Sequence, residues 1–228
     1  CIRDRFNILI LYMLINFSLF FMILISLIVL IYTIYFDSKK KFIDTLIYGS
    51  VYRDKEKSFL KHIYKYIDYN INFLSQLCPL PPKNTSKYTY NELLVLKDKM
   101  NNIDSKKIKL FKKLDNAATS NFKSYIEKNN LRIDWTEFDE LLKEIEMMTY
   151  RLKYIYNRPR AYQLGFYFDI PINSQYANSG NTPSYPSGHA MIGHMCYLYL
   201  SELFPNHEEK LYQLAKEVEN SRVNVGVH

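Results

Sequence analysis

The N-terminal part of this chain has no charge over a long stretch. Between Phe6 and Phe36 there is no Asp, Glu, Lys or Arg. A membrane-spanning helix needs about 20 mostly apolar residues, whereas the apolar part of a cleaved signal usually has about 7 to 15. The length of the uncharged stretch argues against a buried core helix. We therefore predict a transmembrane anchor, or an uncleaved signal, over residues 1–36.

Cysteine is also scarce. The three that occur, Cys1, Cys78 and Cys196, form no Cys-x-x-Cys pair. Scattered cysteines exclude a disulfide framework and leave the redox compartment open. The sequence likewise contains no histidine and carboxylate pattern with the spacing of metal ligands. We expect no metal cofactor.

The net charge of +7 is high enough to suit an anionic partner. A nucleic-acid-binding chain, however, would show a basic helix interleaved with stacking aromatic residues, and none stands out. The Gly-x-Ser-x-Gly motif of serine hydrolases is missing as well. We therefore predict no nucleic-acid partner and no serine nucleophile.

Helical patterns follow the anchor. Residues 37–76 carry apolar side chains at helical spacing and predict one amphipathic helix that links the anchor to a domain. The prolines between Pro79 and Pro82 break this helix and mark the start of a domain over residues 77–228. Asn84-Thr85-Ser86 matches a glycosylation acceptor.

The domain itself has few strand-like alternations. Its helical segments are predicted at roughly 89–101, 105–130, 137–156, 189–204 and 207–222. Residues 161–183 contain glycine, proline and asparagine and predict a loop that forms one wall of a pocket. We expect an all-α fold, a compact bundle of antiparallel helices with its site at the helix ends.

Two finer predictions concern the third of these helices. Thr136 and Asp139 have the spacing of a capping box at its start. A helical stripe indicates its buried face: Leu141, Leu142, Ile145, Met148, Leu152 and Ile155.

The stretch Ser184-Tyr185-Pro186-Ser187-Gly188-His189 precedes an apolar helical run. Ser187 can cap the helix, and Gly188 lets a ligand approach the backbone closely. The free amide groups and the dipole of a helix N-terminus favour an anion, and His189 in the first turn places a proton donor or acceptor beside it. This pattern indicates a phosphate-like site.

Further cations and a second histidine accompany this stretch. Arg151 and Arg158 are seven residues apart, so they share one face of a helix and can reach one ligand. Downstream, Ser221-Arg222 is followed after five residues by His228. Guanidinium groups bind tetrahedral dianions through paired donors.

These residues resemble a known pattern, Lys-x6-Arg-Pro, then Pro-Ser-Gly-His, then Ser-Arg-x5-His-x3-Asp. The pattern marks the phosphatidic acid phosphatase type 2 and vanadium haloperoxidase superfamily. The segments SYPSGHAMIGHMCYLYLSELFPN, YQLAKEVENSRVNVGVH and LCPLPPKNTS are most similar to class A non-specific acid phosphatases. The resemblance covers roughly residues 77–228.

Two departures from the family pattern are visible. Arg151 stands where the pattern has its first lysine. The closing aspartate would fall four residues after His228, the last residue given. We therefore interpret the sequence as a fragment that stops within the domain.

The resemblance implies a reaction and a set of roles. His228 would be the nucleophile that forms a phosphohistidine, and His189 the acid and base. The phosphate would be held by Arg151, Arg158, Ser187, Gly188 and Arg222. No metal would be needed. The expected substrate is a phosphomonoester. A lipid phosphate as the substrate and a homodimer as the assembly are left open. Members of this class act outside the cytosol, which favours an extracytoplasmic or lumenal domain. The lysines at 39–41 leave the orientation of the anchor undecided.

Three alternatives remain open at this point. A vanadium-dependent haloperoxidase would use a similar set of cations, with vanadate as its cofactor. A lipid phosphate phosphatase shares the motifs but carries several membrane spans. A catalytically degenerate membrane protein of the same fold is favoured by the Arg151 departure.

Overall fold

The computed structural model describes residues 2–49, 65–66 and 70–228; side chains are described from Tyr12 onward, except that of Asn178. The chain divides into two compact units, Cys1–Thr45 and Leu46–His228. The division falls nine residues later than the predicted end of the anchor at residue 36.

The first unit is one long helix, α1, Ile2–Thr45. Its described part, Tyr12–Thr45, reaches a mean hydropathy of 2.8 over an 18-residue window. By length and composition this helix can cross a membrane, since about 20 apolar residues span the hydrocarbon core.

The second unit is built from helices and short turns, and its described residues form no strand. The all-α prediction is thus confirmed. The helices are α2 (Ile71–Leu77), α3 (Lys87–Asn101), α4 (Ser105–Asn116), α5 (Ser120–Lys128), α6 (Trp135–Tyr156), α7 (Ala161–Tyr167), α8 (Gly188–Leu203) and α9 (Glu208–Val223). Two 3₁₀ turns, Asn178–Gly180 and Pro205–His207, lie between them.

A core forms where α8 packs against α6 and α9. Phe138 of α6, Cys196 and Leu200 of α8, and Leu211 and Val218 of α9 are fully buried in one cluster. Burying a large apolar side chain stabilises the fold by about 1.5–3 kcal/mol relative to leaving it exposed. This packing fixes α6 and α8 side by side, which positions the site described below.

The predicted linker helix over residues 37–76 is not continuous in the described residues. Residues 46–49 are not helical, and a separate helix, α2, begins at Ile71. The remainder of the predicted linker, residues 50–64 and 67–69, lies outside the described residues.

Other helix predictions need correction. The segment 105–130 forms two helices, α4 and α5, that are separated at residues 117–119. Asp134, not Thr136, caps α6, because its carboxylate accepts hydrogen bonds from the amides of Thr136 and Glu137. Ile155, predicted to be buried, is 49% exposed.

The helix α7 lies where a continuous loop was predicted. Its Gly165 is required by a close approach, since a Cβ atom there would clash with the carbonyl oxygen of Ile170. The surroundings of Asn84 argue against its prediction as a glycosylation acceptor. It is only 7% exposed, and its Nδ2 donates to the carbonyl of Leu46 at 2.9 Å. A buried, bonded amide is unsuited to glycosylation.

Candidate phosphate-binding site

The N-terminus of α8 has the geometry that the sequence predicts. Ser187 is the N-cap, and its hydroxyl accepts a hydrogen bond from the amide of Ala190 at 3.4 Å. Gly188 and His189 are the first two residues of the helix. The first amides of a helix have no intrahelical partner, so this end can donate hydrogen bonds to an anion.

Lys153 on α6 lies opposite this helix end. It is 4% exposed, and its Nζ donates to the carbonyl of Pro183 at 2.5 Å. A Cβ atom at Gly188 would lie 4.0 Å from Cε of Lys153 and 3.4 Å from Cγ2 of Thr149. The missing side chain of Gly188 thus leaves space between the two helices.

That space is a cavity of about 80 Å³. Pockets for drug-sized molecules measure about 300–1,000 Å³, so this one suits a small anion or a small phosphate ester. Both histidines predicted to be catalytic line it. The lining residues are Glu146, Thr149, Tyr150, Lys153, Ser179, Thr182, Gly188, His189, Ile192 and His228.

Arg160 holds the wall of this cavity in place. Its Nε donates to the carbonyl of Thr182 at 2.7 Å, and one terminal nitrogen donates to the carbonyl of Val227 at 2.9 Å. The other terminal nitrogen donates to the carbonyl of Ser179 and the hydroxyl of Thr182. These bonds fix the loop before α8 and the segment that carries His228.

The same guanidinium sets the tautomer of His228. A terminal nitrogen of Arg160 lies 3.2 Å from Nε2 of His228. Arginine can only donate, so Nε2 must accept and a neutral ring carries its proton on Nδ1. Burial first, then Arg160 and Lys153, lower the pKa of His228 well below its usual value. This shift favours the neutral ring, which is the form in which an imidazole can act as a nucleophile.

Arg222 and Asp115 form a buried ion pair behind the cavity. Arg222 donates to Oδ1 of Asp115 at 2.7 Å and to the hydroxyl of Ser179 at 2.7 Å. Nε2 of His189 lies 3.9 Å from the same Asp115 oxygen and 3.2 Å from the carbonyl of Leu114. Asp115 thus links the guanidinium of Arg222 to the ring of His189.

The pKa of His189 is lowered to about 4, chiefly by burial and then by Arg222, while Asp115 opposes this shift. Because a carbonyl only accepts, the contact with Leu114 places a proton on Nε2. In the neutral ring the lone pair then lies on Nδ1.

The cations around the cavity repel each other. Burial, and then Arg160 and Arg222, lower the pKa of Lys153 well below its usual value. Burial is also the main cause that lowers the pKa of Arg160 to about 10. An anion in the cavity would favour the charged forms of both groups and remove part of this cost.

The site residues proposed from sequence do not all lie at the same cavity. Gly188, His189 and His228 line the small cavity, and Arg222 lies behind it. Ser187 lines a second, larger cavity of about 680 Å³, and among the described residues that line the two cavities only His228 is common to both.

The structure places Arg151 and Arg158 differently from the prediction. Arg158 donates to a carboxylate oxygen of Glu92 at 2.7 Å and lines the larger cavity. Arg151 lines neither cavity as the described residues outline them. Lys153 lines the small cavity with His189 and His228, and Arg160 lies 3.2 Å from Nε2 of His228.

A signal for this pair was present in the sequence. Lys153 and Arg160 are also seven residues apart, and Lys153 matches the lysine of the Lys-x6-Arg pattern by type. Arg160 is followed by Ala161, whereas Arg158 is followed by proline, and the Arg-Pro of the pattern therefore favoured Arg151 and Arg158. No short motif marks Asp115.

No group of three or more His, Cys, Asp or Glu side chains that could hold a metal ion occurs in the described part of the chain. A comparison with models of known protein families finds no match, and a comparison with curated proteins finds none either. The function is therefore argued from the site itself.

Proposed function

We propose that the domain hydrolyses phosphomonoesters through a phosphohistidine at His228. The observation that carries this proposal is the half-buried imidazole of His228, which lines a small cavity together with Lys153 and has the guanidinium of Arg160 at 3.2 Å, while Arg222 lies behind the cavity. Preorganised cations of this kind stabilise the charge of a phosphoryl group in the transition state. The resemblance to class A acid phosphatases agrees with the proposal.

The reaction has two steps. In the first, the lone pair on Nε2 of His228 attacks phosphorus, the bond to the ester oxygen breaks, and His189 gives that oxygen a proton. In the second, His189 takes a proton from water, the water oxygen attacks phosphorus, and the phosphorus–nitrogen bond breaks. Phosphate leaves and His228 is restored.

The first step requires a protonated His189. Its pKa of about 4 in the ligand-free protein means that the proton is bound only in acid. A bound phosphate dianion favours the charged ring and raises this pKa. The activity should therefore be highest at acid pH, since kcat/KM falls as His189 loses its proton in the free protein.

We also propose that α1 anchors this enzyme in a membrane as a single span. The support is the length and hydropathy of Tyr12–Thr45. An extracytoplasmic or lumenal position of the domain, and a homodimer, remain predictions.

The test uses the full chain purified in detergent, with release of phosphate from a generic phosphomonoester measured across pH. His228→Ala should abolish release, because the nucleophile is lost. Wild-type protein stopped in base should carry a base-stable, acid-labile phosphoryl group that His228→Ala lacks. His194→Ala on α8 is the matched control, since His194 lines neither cavity and should be dispensable.

Near wild-type turnover of His228→Ala would refute the proposal. Vanadate should compete with the substrate. Halide oxidation by peroxide that appears only after vanadate is added would instead identify the haloperoxidase.

A further inference from the structure

One end of the small cavity is lined by residues that the proposed chemistry does not use. Glu146 and Tyr150 precede Lys153 by seven and three residues on α6, so the three share one helix face. At 1.5 Å per residue, Glu146 lies roughly 10 Å from Lys153 along the helix axis. Ile192 lines the same end from α8.

The helices α6 and α8 run in opposite directions along the cavity. Gly188, at the start of α8, lies next to Thr149 and Lys153, whereas the ring of Tyr199 near the end of α8 packs against Phe138 near the start of α6, with centroids 5.4 Å apart. Between these points the sulfur of Met191 lies 3.3 Å from Oγ1 of Thr149. Glu146 and Ile192 therefore lie together beyond Thr149. The cavity runs from a phosphate-binding end to this second end.

In-line displacement decides which end receives the leaving group. The attacking and leaving atoms lie on opposite sides of phosphorus, so the leaving oxygen faces away from His228. It must also lie next to His189, which protonates it. His189 lines the small cavity, whereas the described residues of the larger cavity include His228 without His189. The leaving group is thus directed to Glu146, not into the larger cavity.

Glu146 differs from the neighbouring carboxylate on its helix. Glu144 accepts hydrogen bonds from the backbone amides of Lys65 and Tyr66. Glu146 is half-buried, and within the described residues it makes neither a hydrogen bond nor an ion pair. A carboxylate in this setting attracts a cation or a hydrogen-bond donor and repels an anion. An aromatic residue beside it, here Tyr150, adds to the attraction for an ammonium group.

We propose that Glu146 determines specificity by selecting phosphomonoesters whose leaving group carries an ammonium or hydroxyl group and by rejecting those that carry a second anion. This inference rests on the proposed phosphomonoesterase function. Glu146 acts on the organic part of the substrate, while Lys153, Arg160 and His228 act on the phosphoryl group.

The test compares three small monoesters on the full chain: ethanolamine phosphate, ethyl phosphate and phosphoglycolate. Wild-type protein should prefer them in that order of kcat/KM. Glu146→Gln should lower kcat/KM for ethanolamine phosphate about tenfold and raise it for phosphoglycolate about tenfold, since one charge near the substrate is removed. Ethyl phosphate should be unaffected and reports on folding. Glu146→Lys should reverse the order.

Glu137→Gln is the matched control, because Glu137 lies on α6 but lines neither cavity. Equal changes for all three substrates in Glu146→Gln, with the wild-type protein active, would overturn the specificity role and leave the phosphatase proposal intact. Wild-type protein that hydrolyses none of the three would overturn the phosphatase proposal, and the specificity role with it.

Discussion

Two cations on α6, Lys153 and Arg151, have different surroundings. Lys153 is buried and lines the small cavity, whereas Arg151 is half-buried and lines neither cavity. Lys153→Met should lower kcat/KM by about 100-fold or more, as expected for the loss of one preorganised charge at a phosphoryl group. Arg151→Met should leave activity close to wild type. Phosphate release by the two variants shows which of the two side chains binds the phosphoryl group. A large loss in Arg151→Met with little loss in Lys153→Met would favour Arg151 as the phosphate-binding residue.

Asp115 should tune the pH dependence through His189. Its carboxylate raises the pKa of that ring against the effects of burial and Arg222. Asp115→Asn removes this support, so the pKa of His189 falls further and kcat/KM should decline at lower pH than in wild type. Arg222 also loses its buried partner, which should cost about 3–5 kcal/mol of unfolding free energy.

The pH profile of kcat/KM and chemical denaturation check these two effects. Asp139→Asn is the control, because Asp139 forms an exposed ion pair with Lys123. If kcat/KM of Asp115→Asn declined at the same pH as that of the wild-type protein, Asp115 would have no effect on the pKa of His189.

Of the residues proposed from sequence, Gly188, His189 and His228 line the small cavity and Arg222 lies behind it, whereas Lys153 and Arg160 were not proposed. A spacing of seven residues fits both Arg151 with Arg158 and Lys153 with Arg160. Charged side chains are almost never fully buried without a partner, so nothing local predicts that Lys153 faces inward. Asp115 reaches the site only through the packing of α4.

The start of α6 offers a test at the scale of one element. Asp134→Ala removes a side chain that caps two amides, and should lower the unfolding free energy by about 1 kcal/mol. Thr136→Ala should have little effect, although the sequence favours Thr136 as the cap. Thermal denaturation of both variants distinguishes the two, and a larger loss in Thr136→Ala would contradict the observed cap.

Long periodic helices were predictable, and short ones were not. The predicted ends of α6, α8 and α9 lie within two residues of those observed. No proline or glycine marks the break at residues 117–119 between α4 and α5. The seven residues of α7 are too few to be stable alone, and packing of Leu164 against Ile170 and Ile172 accompanies the helix.

For the whole molecule, the buried cations predict stabilisation by anions. Orthophosphate should raise the Tm of the full chain in detergent, because it binds the folded state and not the unfolded one. At 100 times its Kd the gain is about 2.7 kcal/mol. Chloride at equal ionic strength should give no such rise, and Lys153→Met should reduce the response. An equal response in both proteins would argue against anion binding at this cavity.

The hydrogen bonds of Arg160 have a consequence for the proposed reaction. A guanidinium has five N–H groups, and the five contacts of Arg160 engage all of them. Four of them bind other groups of the protein, and the fifth donates to Nε2 of His228, the nitrogen that we propose attacks phosphorus. Once that nitrogen bonds to phosphorus it no longer accepts, and the released N–H can turn to a phosphoryl oxygen. One N–H of Arg160 would then donate to Nε2 of His228 in the free protein and to the phosphoryl group in the phosphohistidine, and would return to Nε2 when phosphate leaves.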